Sequence, residues 1–207
     1  MEKVTLSKQN LNPNFIGSWI MNPLSICDEL ITYFESNPHK QKKGALSFGG
    51  ESLDVKNSTD ITISPKEIKV PGNEVFERYF HNLFSCYKDY VIQWPFLATF
   101  AEDLQIGKFN LQRYQRGQHF QAIHTERSSL ETLHRIFAWM TYLNDVDVEE
   151  GGSTLFSHYD LEVQPKKGLT LMWPAEWTHA HKGNLLHANS KYIITGWMHF
   201  PSDLKEI

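Results

Sequence analysis

Residues 191–200 read "KYIITGWMHF", a run of β-branched and aromatic residues that is typical of a β-strand. Side chains two residues apart in a strand point to the same face. One face of this strand therefore carries Lys191, Ile193, Thr195, Trp197 and His199. If that face lines the interior of a barrel, Lys191 is buried there, and a buried lysine is costly without an anion as its partner. The stretch predicts a strand that holds a buried cation.

Short segments of the same kind precede this strand and are separated by the turn-forming stretches "RGQ", "EEGG", "PKKG" and "KGN". They are "FNLQRY" (109–114), "RIFAWMTYLNDV" (135–146), "STLF" (153–156), "LTLMW" (169–173) and "WTHAH" (177–181). A series of short strands with regular turns is the pattern of an antiparallel sandwich or jelly roll. We expect an α+β, mainly β fold, with the helices packed on the outside.

Two amphipathic helices are predicted before residue 105. The first has Ser25 as its N-cap and ends before Pro38, and the second begins near Asn73 and ends near Trp94-Pro95. The glycine-broken stretch between them, residues 42–63, ends in a strand-like alternation. We predict a single domain over residues 1–207, in which approximately 1–105 form a helical and β support region and 106–207 the β core.

The composition is that of a globular protein, with 41% hydrophobic residues and a net charge of -4. Without a block of like charges, neither nucleic acid nor a membrane surface is expected as a partner. The start lacks a signal-peptide pattern, and the longest apolar run is too short to span a bilayer, so a soluble, cytoplasmic protein is expected. Cys27 and Cys86 are expected to be buried thiols rather than a disulfide.

A candidate metal-binding pair stands in "HTE", residues 124–126. In an extended segment His124 and Glu126 lie on one face and can chelate a single ion. A third ligand from "WPAEWTHAH" (173–181), either His179 or His181, would complete a triangular set. Spacing alone does not separate these two histidines, which have the same parity, and an H-x-E tripeptide by itself is weak evidence.

The order of the surrounding segments is more specific. Upstream lies "QRYQRGQHF" (112–120), and downstream lie "YLNDVDVEEGGSTLF" (142–156), "PKKGLTLMWP" (165–174) and "SKYIITGW" (190–197). With these parts the chain from about Phe109 onward resembles the catalytic domain of Fe(II)- and 2-oxoglutarate-dependent oxygenases, especially the prolyl 4-hydroxylase branch. The resemblance implies a double-stranded β-helix with Fe(II), with 2-oxoglutarate and O2 as cosubstrates, and with ascorbate as a reductant.

The resemblance also assigns roles to individual residues. It implies a metal triad of His124, Glu126 and His179, with His181 and Thr195 as supporting neighbours. It implies that 2-oxoglutarate is bound by Lys191, Tyr114 and Thr154. The chain departs from the family pattern at two places: the family usually has Asp at the position of Glu126, and its peptide-hydroxylating members carry a second tyrosine near the position of Phe120.

The activity implied is the hydroxylation of an unactivated C–H bond with release of succinate and CO2, on a peptidyl, prolyl-type substrate or else a small molecule. The groove for such a substrate is expected to include Arg135, Trp197, His199, Lys56 and Ser58. Two alternatives remain open at this point, namely a non-catalytic jelly-roll binding module and a metallohydrolase that uses the same His/Glu/His triad. Lys191 discriminates against the hydrolase, which has no need for a dicarboxylate anchor.

Overall fold

The computed structural model describes residues 1–3, 14–44, 52–100 and 103–201. Residues 45–51 of the glycine-broken stretch, and residues 4–13 of the start, lie outside this description. The three helices are α1 (Ser25–Ser36), α2 (Glu74–Gln93) and α3 (Leu97–Phe100). The described strands are β1 (Glu2–Lys3), β2 (Gly17–Ile20), β3 (Lys42–Lys43), β4 (Thr59–Ile63), β5 (Gln105–Ile106), β6 (Phe109–Gln115), β7 (Phe120–His124), β8 (Arg135–Tyr142), β9 (Thr154–Phe156), β10 (Leu161–Val163), β11 (Leu169–Pro174), β12 (His181–Gly183) and β13 (Ser190–His199).

The strands form two antiparallel sheets. The larger sheet has nine strands in the order β1-β2-β11-β8-β13-β6-β4-β3, with β5 also paired to β13. The smaller sheet has the order β10-β9-β12-β7. Strands β1 to β4, from the first part of the chain, thus extend the same sheet as the strands of the predicted core. The division at about residue 105 stays a prediction.

Alternation along β8 explains why the larger sheet is covered on both faces. Phe137 and Trp139 belong to the apolar cluster that includes the helices, whereas Ala138, Met140 and Tyr142 belong to the cluster between the two sheets. Such alternation is the expected consequence of the two-residue period of a strand. The predicted fold class, a jelly roll with helices outside, is confirmed.

The two longer helices bury one stripe each against the larger sheet. In α1 the stripe includes Ile26, Leu30 and Phe34. This helix begins at Ser25 itself and is preceded by Leu24, which makes no side-chain cap, so the prediction of Ser25 as N-cap is wrong by one residue. Asn73 precedes α2 as predicted. Within the described residues, no helix is long and apolar enough to cross a membrane.

Both cysteines are buried free thiols, as predicted. Cys27 lies on α1 and Cys86 on α2, inside the apolar stripes that face the larger sheet. Burial raises the pKa of Cys27 to about 11 and that of Cys86 to about 12. Both side chains therefore act as small apolar groups of the core.

The segment "WTHAH" is not one strand. Residues Trp177–His179 form a 3₁₀ turn, and only His181 begins a strand, β12. Pro174 ends β11 just before this turn, and Ala175 and Glu176 connect the two. Because residues in a 3₁₀ turn do not follow the two-residue period of a strand, His179 and His181 do not share a face.

Candidate metal centre

Two neighbouring strands of the smaller sheet bring two histidines together. His124 is the last residue of β7, His181 is the first residue of β12, and the two are direct partners in the antiparallel ladder. With Glu126 they form a cluster whose ligand atoms all lie within 4.8 Å of one another. Glu126 Oε1 is 3.3 Å from His181 Nε2 and 3.9 Å from His124 Nε2. Ligands about 2.1 Å from one ion and at right angles would be about 3 Å apart, so the set fits an ion.

The hydrogen bonds of the two rings orient their other nitrogens for ligation. His124 Nδ1 donates to the carbonyl oxygen of Ala122, and His181 Nδ1 donates to that of His179, both at 2.9 Å. In a neutral imidazole this leaves Nε2 without a proton, and both Nε2 atoms point to Glu126. A backbone carbonyl behind Nδ1 is the usual support of a metal-binding histidine.

The charges of the cluster also suit a cation. Burial, together with the nearby His181, lowers the pKa of His124 to about 4. Burial raises the pKa of Glu126, but contacts with His181, His124 and the indole of Trp197 outweigh it and lower that pKa to about 2. At neutral pH the ring of His124 is therefore neutral and the carboxylate ionised, which are the forms that bind metal.

His179 does not belong to this cluster, so the prediction that it joins His124 and Glu126 is wrong, and His181 takes its place. The buried ring of His179 donates from Nε2 to the carbonyl oxygen of Asn14 at 2.8 Å. Its Nδ1 lies 3.0 Å from Thr178 Oγ1. The cause of the difference is the 3₁₀ turn described above, and Pro174 followed by Glu176 was the sequence signal for it.

Glu126 is held from its outer side by two residues of the larger sheet. Trp197 Nε1 donates to Glu126 Oε2 at 2.7 Å. Arg135 donates to the backbone oxygen of Glu126 at 2.9 Å, and its guanidinium lies 3.7 Å from the centre of the Trp197 ring. Both residues were expected in a substrate groove; in the structure they contact the candidate metal ligand.

Phe120 covers the other side of the cluster. Its ring stacks on His124, with centroids 3.8 Å apart and planes inclined by 10°. The ammonium of Lys56 lies 5.6 Å from the centre of the Phe120 ring. The position where a second tyrosine was expected is thus an apolar wall against His124.

Lys191 is buried inside the barrel, as the alternation of β13 predicts. Its ammonium donates to the carbonyl oxygen of Gly152 at 2.7 Å and lies 4.6 Å from the centre of the Tyr114 ring. Burial lowers the pKa of Lys191 to about 8. Among the residues that the structure describes, no carboxylate forms an ion pair with it.

The two hydroxyls expected beside Lys191 are both buried. Tyr114 is the direct ladder partner of Lys191, and its hydroxyl donates to Gln112 Oε1 at 2.9 Å. Thr154 Oγ1 accepts from the hydroxyl of Tyr142 at 2.6 Å. Burial raises the pKa of Tyr114 well above its usual range, which keeps that hydroxyl protonated.

The other expected site residues lie in three different places. Lys56 and Ser58 are buried and bind the two carboxylate oxygens of Asp60, each at 2.7 Å. His199 donates to the carbonyl oxygen of Phe200, and its ring packs against His134 with centroids 5.0 Å apart. Thr195 donates to the backbone oxygen of Trp139 at 2.8 Å. None of these side chains reaches the cluster of His124, Glu126 and His181 through a hydrogen bond described here.

The family comparison agrees with this geometry. Residues 109–199 match the family model described as the 2OG-Fe(II) oxygenase superfamily. This segment is a 2OG-Fe(II) oxygenase domain. The match confirms the family resemblance drawn from the sequence, and the family implies Fe(II), 2-oxoglutarate and O2. No curated protein matches the sequence significantly.

Solved structures share the fold of this oxygenase domain and of the strands and helices before it. A Pseudomonas putida prolyl-4-hydroxylase is 15% identical with a TM-score of 0.69, and the alignment covers 93% of this chain and 96% of that one. A Trichoplax adhaerens prolyl hydroxylase, in complex with a hypoxia inducible factor peptide fragment, is 15% identical with a TM-score of 0.70, covering 91% and 85%. A viral collagen prolyl hydroxylase from Paramecium Bursaria Chlorella virus-1 is 15% identical with a TM-score of 0.65, covering 90% and 97%.

Proposed function

We propose that the protein is a hydroxylase that holds Fe(II) through His124, Glu126 and His181. The observation that carries the proposal is the pairing of this cluster with a buried lysine that lacks a carboxylate partner among the described residues. Two imidazoles and one carboxylate on one face of an ion form the 2-His-1-carboxylate arrangement of non-haem Fe(II) oxygenases. Fe(II) bound there supplies the activation of O2 and the oxidation of a C–H bond.

The role proposed for Lys191 is to bind the distal carboxylate of 2-oxoglutarate. A charged ammonium in an apolar barrel is destabilising, and its hydrogen bond to Gly152 compensates only part of the lost hydration. A carboxylate would form a charge-assisted hydrogen bond with it in a region of low dielectric. The hydroxyls of Tyr114 and Thr154 are the proposed additional donors beside this anion.

Phe120 has a different role in this proposal. Its ring covers one face of His124 and offers no hydroxyl. It fixes the orientation of the imidazole and excludes water from that side of the metal ligands. The anchoring of 2-oxoglutarate therefore depends on Lys191 rather than on a second tyrosine at this position.

A peptidyl, prolyl-type substrate is the proposed target, with release of succinate and CO2 and with ascorbate as a reductant. Support comes from the similarity to the prolyl hydroxylases named above, one of which was solved with a peptide bound. A small-molecule substrate is the alternative. Lys191 argues against a metallohydrolase, because a hydrolytic water needs no dicarboxylate anchor.

The test is turnover under ¹⁸O₂ with Fe(II), 2-oxoglutarate and ascorbate on a panel of proline-containing peptides. We expect succinate formation, and a product heavier by one ¹⁸O atom that forms with the wild-type protein but not with His181→Ala. Succinate formation that no peptide stimulates would point to a small-molecule substrate. Hydrolysis of a peptide without consumption of 2-oxoglutarate would contradict the proposed function.

A further inference from the structure

We infer that Trp197 holds Glu126 in a geometry in which one carboxylate oxygen, Oε1, serves as the metal ligand. This inference rests on the proposed function and assigns Trp197 a positioning role. Oε1 faces the two Nε2 atoms, at 3.3 Å from His181 and 3.9 Å from His124. Oε2 accepts the indole N–H of Trp197 at 2.7 Å. The two oxygens of one carboxylate thus have different partners.

The number of protein ligand atoms matters for the reaction. Two imidazole nitrogens and one oxygen leave three of six positions for cosubstrates. If Glu126 bound with both oxygens, four positions would be taken and only two would remain. A glutamate has one more rotatable bond than the aspartate usual in the family, so its carboxylate has more freedom to turn both oxygens toward an ion. The hydrogen bond to Oε2 opposes that rotation.

Arg135 supports the same arrangement from behind. It donates to the backbone oxygen of Glu126, and its guanidinium stacks on the Trp197 ring at 3.7 Å. Arg135 begins β8, and Trp197 lies on the adjacent strand β13, so both are fixed by the ladder that joins the two strands. The indole is therefore rigid where it meets the carboxylate, and rigid support of this kind determines how a metal ligand is oriented.

The arrangement separates two quantities that can be measured independently. Removing the indole N–H frees Oε2, which is expected to preserve metal binding because the carboxylate gains a second ligand atom. The same change is expected to weaken 2-oxoglutarate binding because it removes a free coordination position. A merely structural role for Trp197 would weaken both to the same extent or neither.

The experiment is an anaerobic calorimetric titration of Mn(II) into the protein and then of 2-oxoglutarate into the Mn(II)-loaded protein. It compares wild type, Trp197→Phe and the control Trp177→Phe, which changes a tryptophan that is 67% exposed. For Trp197→Phe we expect the affinity for 2-oxoglutarate to fall about tenfold or more, and that for Mn(II) to change less than about threefold. Trp177→Phe is expected to change neither.

A second variant guards against misfolding. Replacing Trp197 with benzothienylalanine keeps the shape of the ring and removes only the N–H donor, so the same split between the two affinities is expected. Unchanged 2-oxoglutarate affinity, or a parallel loss of both ligands, would overturn the inference while the proposed function stands. Failure of the wild-type protein to bind Mn(II) and 2-oxoglutarate would instead overturn the proposed function, and the inference with it.

Discussion

His181 lies directly opposite His124 across the ladder between β12 and β7, and the centroids of the two rings are 4.4 Å apart. The ring of His179 faces away and donates to the carbonyl oxygen of Asn14. Two histidines separated by one residue thus have different roles. One belongs to the metal cluster, and the other ties the chain before β2 to the turn before β12.

The first prediction compares these two histidines. His181→Ala is expected to lower the affinity for Mn(II) or Co(II) at least a hundredfold, because it removes one of three ligand atoms. His179→Ala is expected to leave metal affinity within about threefold of wild type and to lower the thermal midpoint, because it leaves the Asn14 carbonyl unpaired. Metal titration and thermal unfolding of both variants check this. Loss of metal by His179→Ala alone would reverse the assignment.

A second prediction concerns the energetic cost of Lys191. The lowering of its pKa from 10.5 to about 8 corresponds to roughly 3 kcal/mol for keeping the ammonium charged in the free protein. Lys191→Met is therefore expected to raise the free energy of unfolding without ligand by up to that amount, and to abolish detectable binding of 2-oxoglutarate. Denaturant unfolding and calorimetry measure the two effects. The control is Lys69→Met at an exposed lysine, and destabilisation by Lys191→Met would contradict the account.

The pH dependence of 2-oxoglutarate binding follows from the same residue. Because the bound carboxylate stabilises the charged ammonium, the pKa of Lys191 is higher in the complex than its value of about 8 in the free protein. The affinity is therefore expected to be constant below about pH 8 and to fall up to about tenfold per pH unit above it. Titrations between about pH 6.5 and 9.5 at saturating Mn(II) test this. An affinity that does not change above pH 8 would show that Lys191 is not the anchor.

A fourth prediction tests the buried ion pair beside β4. Lys56 and Asp60 are 5% and 8% exposed and 2.7 Å apart, and Asp60 also accepts from Ser58 and Gln112. Asp60→Ala leaves a buried cation without its carboxylate and is expected to lower the free energy of unfolding by about 3 to 5 kcal/mol. Combining it with Lys56→Met should restore part of the loss. A change below about 1 kcal/mol, equal to that of the exposed control Asp54→Ala, would contradict this role.

The fold could be predicted from the sequence because the alternation of strands is local. The inward face of β13, with Lys191 and Trp197, follows directly from the two-residue period. The third metal ligand could not be fixed in the same way, because a 3₁₀ turn of three residues interrupts the period just before His181. The partner of His124 is set by the register between β7 and β12, and that register is a property of the folded sheet.

The substrate groove was harder to predict than the metal cluster. Lys56 and Ser58 were assigned to it from a short motif, but Asp60, two residues after Ser58, binds both side chains and buries them. Arg135 and Trp197 lie beside the cluster, where their contacts are to Glu126. A motif indicates residue types at a spacing, whereas the partner that satisfies each buried polar group is determined by packing.

The most direct test of the central claim is an anaerobic titration of 2-oxoglutarate into the protein with and without Mn(II). The claim is that His124, Glu126 and His181 hold the metal and that Lys191 holds the cosubstrate. We expect one 2-oxoglutarate per chain, bound only when Mn(II) is present, with binding retained in His179→Ala and lost in both His181→Ala and Lys191→Met. Metal-independent binding, or full binding by His181→Ala, would contradict the claim.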